Sequence, residues 1–210
     1  MNRFLRTSLL LGEDKMNALA NSHVMVFGVG GVGGYVVEGL VRSGLGKITI
    51  IDNDTVNPTN LNRQIIALET NIDRFKVDVL KERILAINPN CKVTSYDKFI
   101  TNDNIEEIDF TDVDYVVDAV DTITAKIAII EKGKKLNIPL ISSMGAGNRL
   151  DPSQIRFADI NQTKNCPLAK VMRYELKKRE IKNVKCIYSL ERISKASLIN
   201  ISFLMPFFSA

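Results

Sequence analysis

The stretch VMVFGVGGVGG, followed by LGKITIID, constrains this chain more than any other. An apolar run enters a turn that holds Gly28, Gly30, Gly31 and Gly33, and a second apolar run ends on Asp52, 24 residues after Gly28. Gly28, Gly30 and Gly33 satisfy G-x-G-x-x-G between a strand pattern and a helix pattern, which is the context the motif needs. A side chain at the first positions would block the tight turn or hold phosphates away, and the N–H groups of the following helix then face the anion. At Asp52 a carboxylate can accept hydrogen bonds from ribose hydroxyls. Glycines of this kind also serve as plain strand–helix junctions. With strand, helix and acid together, nucleotide binding is the expectation.

The rest of the chain continues the alternation. HVMVFG, KITIID, KVTSY, VDYVVDAV and IPLISS read as strands, with QIRFADI as a later one. Residues 75–87 put Val77, Leu80, Ile84 and Ile87 at helical spacing, and residues 125–136 read as another helix. CPLAKVMRYELKKRE is a third, with Pro167 in its first turn and Leu168, Met172 and Leu176 on one face. Strands alternating with helices predict an α/β fold, a Rossmann-like doubly wound and mostly parallel sheet with helices on both faces. No repeat or flexible linker interrupts it. We expect one domain over residues 1–191 with an N-terminal arm at 1–20, and an atypical tail at 192–210.

The nucleotide is narrowed by DNDTVNPTNLNRQ. A dehydrogenase needs little after its ribose acid, whereas here Asp54, Asn60, Asn62, Arg63 and Gln64 follow, then Lys76 at the next helix. The planar fork of Arg63 can grip phosphate oxygens and Lys76 can act as a point charge, which suits a triphosphate. VVDAVDT then brings Asp118 and Asp121 to the end of a strand, where open α/β sheets bind ligands. We read Asp121 as a magnesium ligand and Asp118 as a turn or capping acid.

These residues together, GVGGVGG, IIDND, NLNRQ, Lys76 and DAVDT, resemble the ubiquitin-activating-enzyme-like (ThiF/MoeB/HesA) adenylate-forming superfamily. The resemblance implies ATP on a Rossmann-like sheet and a carboxylate attacking its α-phosphate. It implies Asp52 as the ribose ligand and Asn60, Arg63 and Lys76 as the phosphate set. Asp121 would hold magnesium, and Arg6 would reach the ATP of a partner subunit in a homodimer. The segments SSMGAGNRLDPSQIRFADINQTKNCPLAKVMRYELKKREI and VKCIYSLE are similar to the tRNA threonylcarbamoyladenosine dehydratases. Those enzymes use ATP to cyclise a threonylcarbamoyl group on an anticodon-loop adenosine. A tRNA partner follows, as does a sulfur-relay or cysteine desulfurase partner. The stretch RISKASLINISFLMPFFSA departs from that family's pattern. The competing expectation is an adenylyltransferase acting on a ubiquitin-like sulfur carrier; relatives of that kind commonly carry two C-x-x-C zinc pairs, which this chain lacks. A nucleotide-binding scaffold without turnover is a third.

Composition trims the remaining possibilities. The chain has three cysteines in 210 residues, none in a C-x-x-C pair, which suits a reducing, cytoplasmic setting and argues against structural zinc. The leucine run near the N-terminus is too short for a signal peptide, and the greasy tail is too short and proline-broken to span a bilayer. Residues 164–185 hold eight Lys or Arg against two Glu, in a chain whose net charge is +4. Such a segment can be a solvated face or can meet phosphates. Given the resemblance, Lys170, Arg173, Lys177, Lys178 and Arg179 are candidate tRNA contacts. The lone histidine, His23, reads as structural. Cys166 reads as a short capping residue ahead of Pro167, or as a nucleophile, while Cys91 and Cys186 read as core. Gly145 and Gly147 could let backbone approach an adenylate or could form a plain turn.

Overall fold

A computed structural model describes residues 3–192; the atypical tail lies outside the described residues except for its first position. Two short helices open the chain, α1 (Leu5–Leu11) and α2 (Glu13–Asn21), and neither buries a residue. Then follow β1 (His23–Phe27), α3 (Gly33–Arg42), β2 (Lys47–Ile51), α4 (Lys76–Ile87) and β3 (Lys92–Tyr96). The second half holds β4 (Tyr115–Asp118), α5 (Ile123–Lys135), β5 (Leu140–Ser143), β6 (Ile155–Asp159), α6 (Pro167–Lys178) and β7 (Lys185–Ser189).

The strands form one sheet in the order β3-β2-β1-β4-β5-β7-β6, parallel except for the antiparallel β6–β7 pair. The expected doubly wound sheet is therefore present, with one reversed edge strand. Strand periodicity divides the core cleanly, because successive side chains point to opposite faces. Val24 and Val26 of β1 join Val37 and Val41 of α3 and Leu80 and Ile84 of α4 on one face. Met25 and Phe27 join Ile129 and Ile130 of α5 and Met172 and Leu176 of α6 on the other. The three expected helices are found within two residues of their predicted bounds, with Phe75 standing just outside α4 as its cap position.

His23 is structural, as expected. Its ring is buried, with Nε2 2.8 Å from Thr49 Oγ1 and Nδ1 3.2 Å from the Asp112 carbonyl. Burial lowers its pKa, with Lys47 adding to the effect. All three cysteines are buried. Cys166 corrects one expectation: it occupies the cap position of α6, but its side chain makes no capping hydrogen bond and belongs to the core. A thiol is a poor acceptor and a good small apolar filler, so the core wins it.

Candidate nucleotide-binding cleft

The chain order reverses between β1 and β4, and open α/β sheets bind ligands beyond the strand ends at such a switch point. Gly28 leaves β1 at φ +80°, in the left-handed region that favours glycine. Its N–H donates to Ile51 O at 2.8 Å, and Ala119 N–H donates to Phe27 O at 2.8 Å, so the turn is clamped from both neighbouring strands. A Cβ on Gly28 would stand 2.8 Å from the Ala119 carbonyl carbon. One on Gly33 would stand 1.8 Å from the Gly28 oxygen. Gly33 thus works by close packing beneath the turn, while Gly28, Gly30 and Gly31 line a cleft of about 660 Å³. That is within the usual range for small-ligand sites, roughly 300–1,000 Å³. No side chain caps the N-terminus of α3, and its cap position, Val32, lines the cleft.

The ribose-type acid is fixed by backbone. Asp52 accepts from Val29 N–H at 2.8 Å and from Asp54 N–H at 2.9 Å, one bond on each carboxylate oxygen. Each oxygen retains a free lone pair for a hydroxyl donor. Burial raises the Asp52 pKa, and the two backbone hydrogen bonds oppose that rise. Lys76 stands at the start of α4 with its side chain 6% exposed, and its Nζ donates to Asp54 Oδ2 at 2.6 Å. Asp54 itself is 58% exposed.

Arg63 is exposed and donates from Nη1 to Thr59 O at 2.8 Å and Asn62 Oδ1 at 2.9 Å, with its stem lying over Gly31. Asn60 is buried and its Oδ1 accepts from Asn57 N–H at 3.0 Å, closing a reciprocal cap around residues 58–60. Its side-chain oxygen is therefore committed to shaping the loop that presents Arg63. Gln64 is buried at the cleft wall with its amide beside Gly30, and its Oε1 has no partner among the described residues.

The two acids at the end of β4 part company. Asp121 is exposed on the cleft wall, taking one long hydrogen bond from Thr122 Oγ1 at 3.3 Å. Asp118 makes the bond expected of a turn acid but is sealed in the core, where it has a further partner that was not expected. It does accept from Val120 N–H at 3.2 Å, but its main partner is Lys126, and both side chains are 0% exposed. Lys126 Nζ lies 3.1 and 3.0 Å from the two Asp118 oxygens and 2.6 Å from Ser143 O, while Ser142 Oγ donates to Asp118 Oδ2 at 2.5 Å. This cluster ties α5, β4 and β5 directly behind the segment that carries Asp121. Nothing in the sequence marked Lys126, since its partners are eight and more residues away.

Other expected residues stand apart from the cleft. Arg6 is exposed on α1 and does not line it. The basic helix is less free than its charge count suggested. Arg173 donates to Thr163 O at 3.1 Å, Arg179 pairs with Glu131 and Glu175, and Lys178 pairs with Glu175 over the Tyr174 ring. Among the described residues, only Lys170 and Lys177 of the five candidates are exposed without such a partner. Also among the described residues, no cluster of three or more metal-ligating side chains occurs and no helix is long and apolar enough to cross a membrane.

Comparison with known proteins agrees with this fold. The profile of the ThiF family matches residues 2–189. The chain is 45% identical over 192 residues to the tRNA threonylcarbamoyladenosine dehydratase of Bacillus subtilis, covering 91% of this chain and 76% of that one. With the enzyme of the same name from Escherichia coli it shares 41% identity, covering 91% and 74%. The crystal structure of the E. coli enzyme, TcdA, in complex with ATP superposes with a TM-score of 0.88 at 40% identity, covering 93% of this chain and 84% of that one.

Proposed function

This chain belongs to the ThiF family, and from that premise we propose that it is an ATP-dependent tRNA threonylcarbamoyladenosine dehydratase. The observation that carries the proposal is the cleft itself, whose lining brings together Asp52, the cations Arg63 and Lys76, and the open carboxylate of Asp121. A dinucleotide dehydrogenase has no use for that set. The bacterial dehydratases match this chain over three-quarters of their own length, which favours a tRNA substrate over a carrier protein.

In the mechanism we infer, the threonyl carboxylate attacks the α-phosphorus of ATP and pyrophosphate leaves. A nucleophile of the carbamoyl group then attacks the activated carbonyl carbon, loses its proton and expels AMP as the ring closes. The water lost by the nucleoside is accounted for by cleavage of ATP to AMP and pyrophosphate. Asp52 holds the ribose, and the turn at Gly28, Gly30 and Gly31 together with the start of α3 receives the phosphates. Lys76 exchanges its bond to Asp54 for a phosphate oxygen, and Arg63, presented by the Asn60 loop, grips another. Asp121 suits magnesium because such ions at phosphates use one or two carboxylates and otherwise water and phosphate oxygens. When bound there, the ion supplies neutralisation of the leaving pyrophosphate.

Two copies pair in this proposal, so that Arg6 of one chain meets the ATP of the other; its exposure on α1, beside the exposed Leu9 and Leu10, supports that. Lys170 and Lys177 are the cations of the basic helix left to meet tRNA, and the work is cytoplasmic. A sulfur-relay or cysteine desulfurase partner would not exchange persulfide with this chain, whose three thiols are all buried.

The deciding experiment is incubation with ATP, magnesium and tRNA bearing threonylcarbamoyladenosine. Nucleoside mass spectrometry should show loss of one water, with one AMP formed per product. AMP release only on addition of a small protein ending in Gly-Gly, with the nucleoside mass unchanged, would overturn the dehydratase in favour of the carrier adenylyltransferase.

A further inference from the structure

We propose that a second, smaller cavity beside the nucleotide cleft receives the threonylcarbamoyl end of the modified adenosine, with Arg149 gripping its carboxylate. This inference rests on the dehydratase function above. The cavity measures about 280 Å³ and opens off the same edge of the sheet, between the ends of β5 and β7. Val32 and Ala146 line both it and the nucleotide cleft, so a group held in one stands beside a group held in the other.

Its lining is mainly apolar, with Met144, Leu150, Ile187 and Tyr188 around it, and it carries one cation. Arg149 donates from Nη2 to Asn165 O at 3.2 Å. Its Nε and Nη1 are buried and have no protein acceptor among the described residues. A guanidinium cannot discard its charge, and leaving its donors unpaired away from water is costly. The acids nearby do not neutralise it. Asp151 accepts from Ser153 N–H at 2.9 Å and from Gln154 Nε2 at 2.9 Å, so its charge is held within its own turn. Glu191 accepts from the N–H groups of Leu150 and Asp151 at 3.0 to 3.1 Å, which fixes the rim without reaching Arg149.

A guanidinium with no acid partner among the described residues and two buried, unpaired nitrogens, at the wall of a mainly apolar pocket, selects a small anion attached to an apolar or planar group. The substrate of the proposed reaction carries one, the threonyl carboxylate, and that carboxylate has to be aimed at the α-phosphate in the adjoining cleft. Arg149 would orient it while the apolar walls take the threonine methyl group and exclude water. No residue of the nucleotide cleft assigned above does this.

The test compares wild type with Arg149→Gln and Arg149→Lys. Three quantities are measured: ATP affinity by calorimetry, affinity for tRNA lacking the modification, and kcat/KM on the modified tRNA. The expected result for Arg149→Gln is ATP and unmodified tRNA affinities within about twofold of wild type, with kcat/KM lowered roughly 10- to 100-fold, as for loss of a hydrogen bond to a charged group. Arg149→Lys should recover only part of that loss. Wild-type turnover in Arg149→Gln overturns the assignment. A loss of affinity for unmodified tRNA as large as the loss of kcat/KM also overturns it, because Arg149 would then be holding a backbone phosphate. A variant that no longer binds ATP is misfolded. In that event Ile187→Trp narrows the same cavity from β7, and unchanged kcat/KM in that variant overturns the proposal. Failure of the wild type itself to dehydrate the modified tRNA would bring down the dehydratase function, a result separate from all of these.

Discussion

Lys126 and Lys76 are both withdrawn from water and both paired with an aspartate, but the partners differ. Asp118 is sealed in the core with Lys126, while Asp54 stays 58% exposed beside Lys76. Desolvating both members of a pair is expensive, and Coulomb attraction repays it only when the remaining hydrogen-bonding groups are satisfied. The Asp118 cluster meets that condition with Ser142, Ser143 and the Val120 N–H. Such an arrangement has one low-energy state and no reason to leave it. The Lys76 pair is open on the aspartate side, so in the proposed mechanism water can take over Asp54 when the ammonium turns to a phosphate. One pair holds the wall of the site in place and the other is available to work in it.

The largest effect should come from breaking the sealed pair. Lys126→Met leaves Asp118 buried without its cation and should cost about 3–5 kcal/mol of stability, read as a lowered midpoint in chemical denaturation. The double variant with Asp118→Leu should recover much of that. A single variant as stable as wild type would erase the contrast between the pairs. Lys76→Ala should do the opposite, lowering kcat/KM by roughly 10²–10³-fold while changing stability by only about 1 kcal/mol, since Asp54 is already hydrated. Asp121→Asn is expected to cost less in kcat, about tenfold at saturating magnesium, and to raise the magnesium concentration needed for half-maximal rate. An unchanged magnesium titration would remove Asp121 from the metal site.

The smallest effect lies at the opposite edge of the sheet, where His23 is a buried polar group with no functional use. Its folded pKa is lowered from 6.5 mainly by burial, so the unfolded chain binds the proton more readily. Stability is therefore full above about pH 6.5 and falls as the pH drops through that value. His23→Gln should show a shallower decline in melting temperature between pH 7.5 and 5.5 than wild type. Parallel declines would mean that other groups set the acid sensitivity.

The elements and the glycine turn were legible because their signals are local. Period-two and helical spacings identify faces without knowledge of partners, and G-x-G-x-x-G with Asp52 is a single continuous unit. Lys126 was not legible. It looks like a surface lysine near the start of α5, and only the three-dimensional approach of β4 and β5 turns it inward. Arg149 was hidden in the same way, on a loop that only the fold brings beside β7 and Asn165. The basic helix misled in the other direction, since a count of charges does not show that Arg173 and Arg179 are already spoken for by Thr163, Glu131 and Glu175. Asp121 and Asp118 lie three residues apart in one motif, and their opposite exposures follow from strand geometry that ends between them.

The contact of Gly33 with the Gly28 carbonyl, too close to admit one more carbon, also fixes where this chain can change. At Gly28 and Gly33 no side chain fits, because β1, α3 and the end of β4 meet there without clearance. New substrate preferences would be acquired around the rims, at the exposed residues Ala146, Gly147, Asn148 and Leu150 and on the exposed face of β7 at Lys185 and Ile187. A library aimed at altered specificity should therefore spare Gly28 and Gly33 and spend its diversity there.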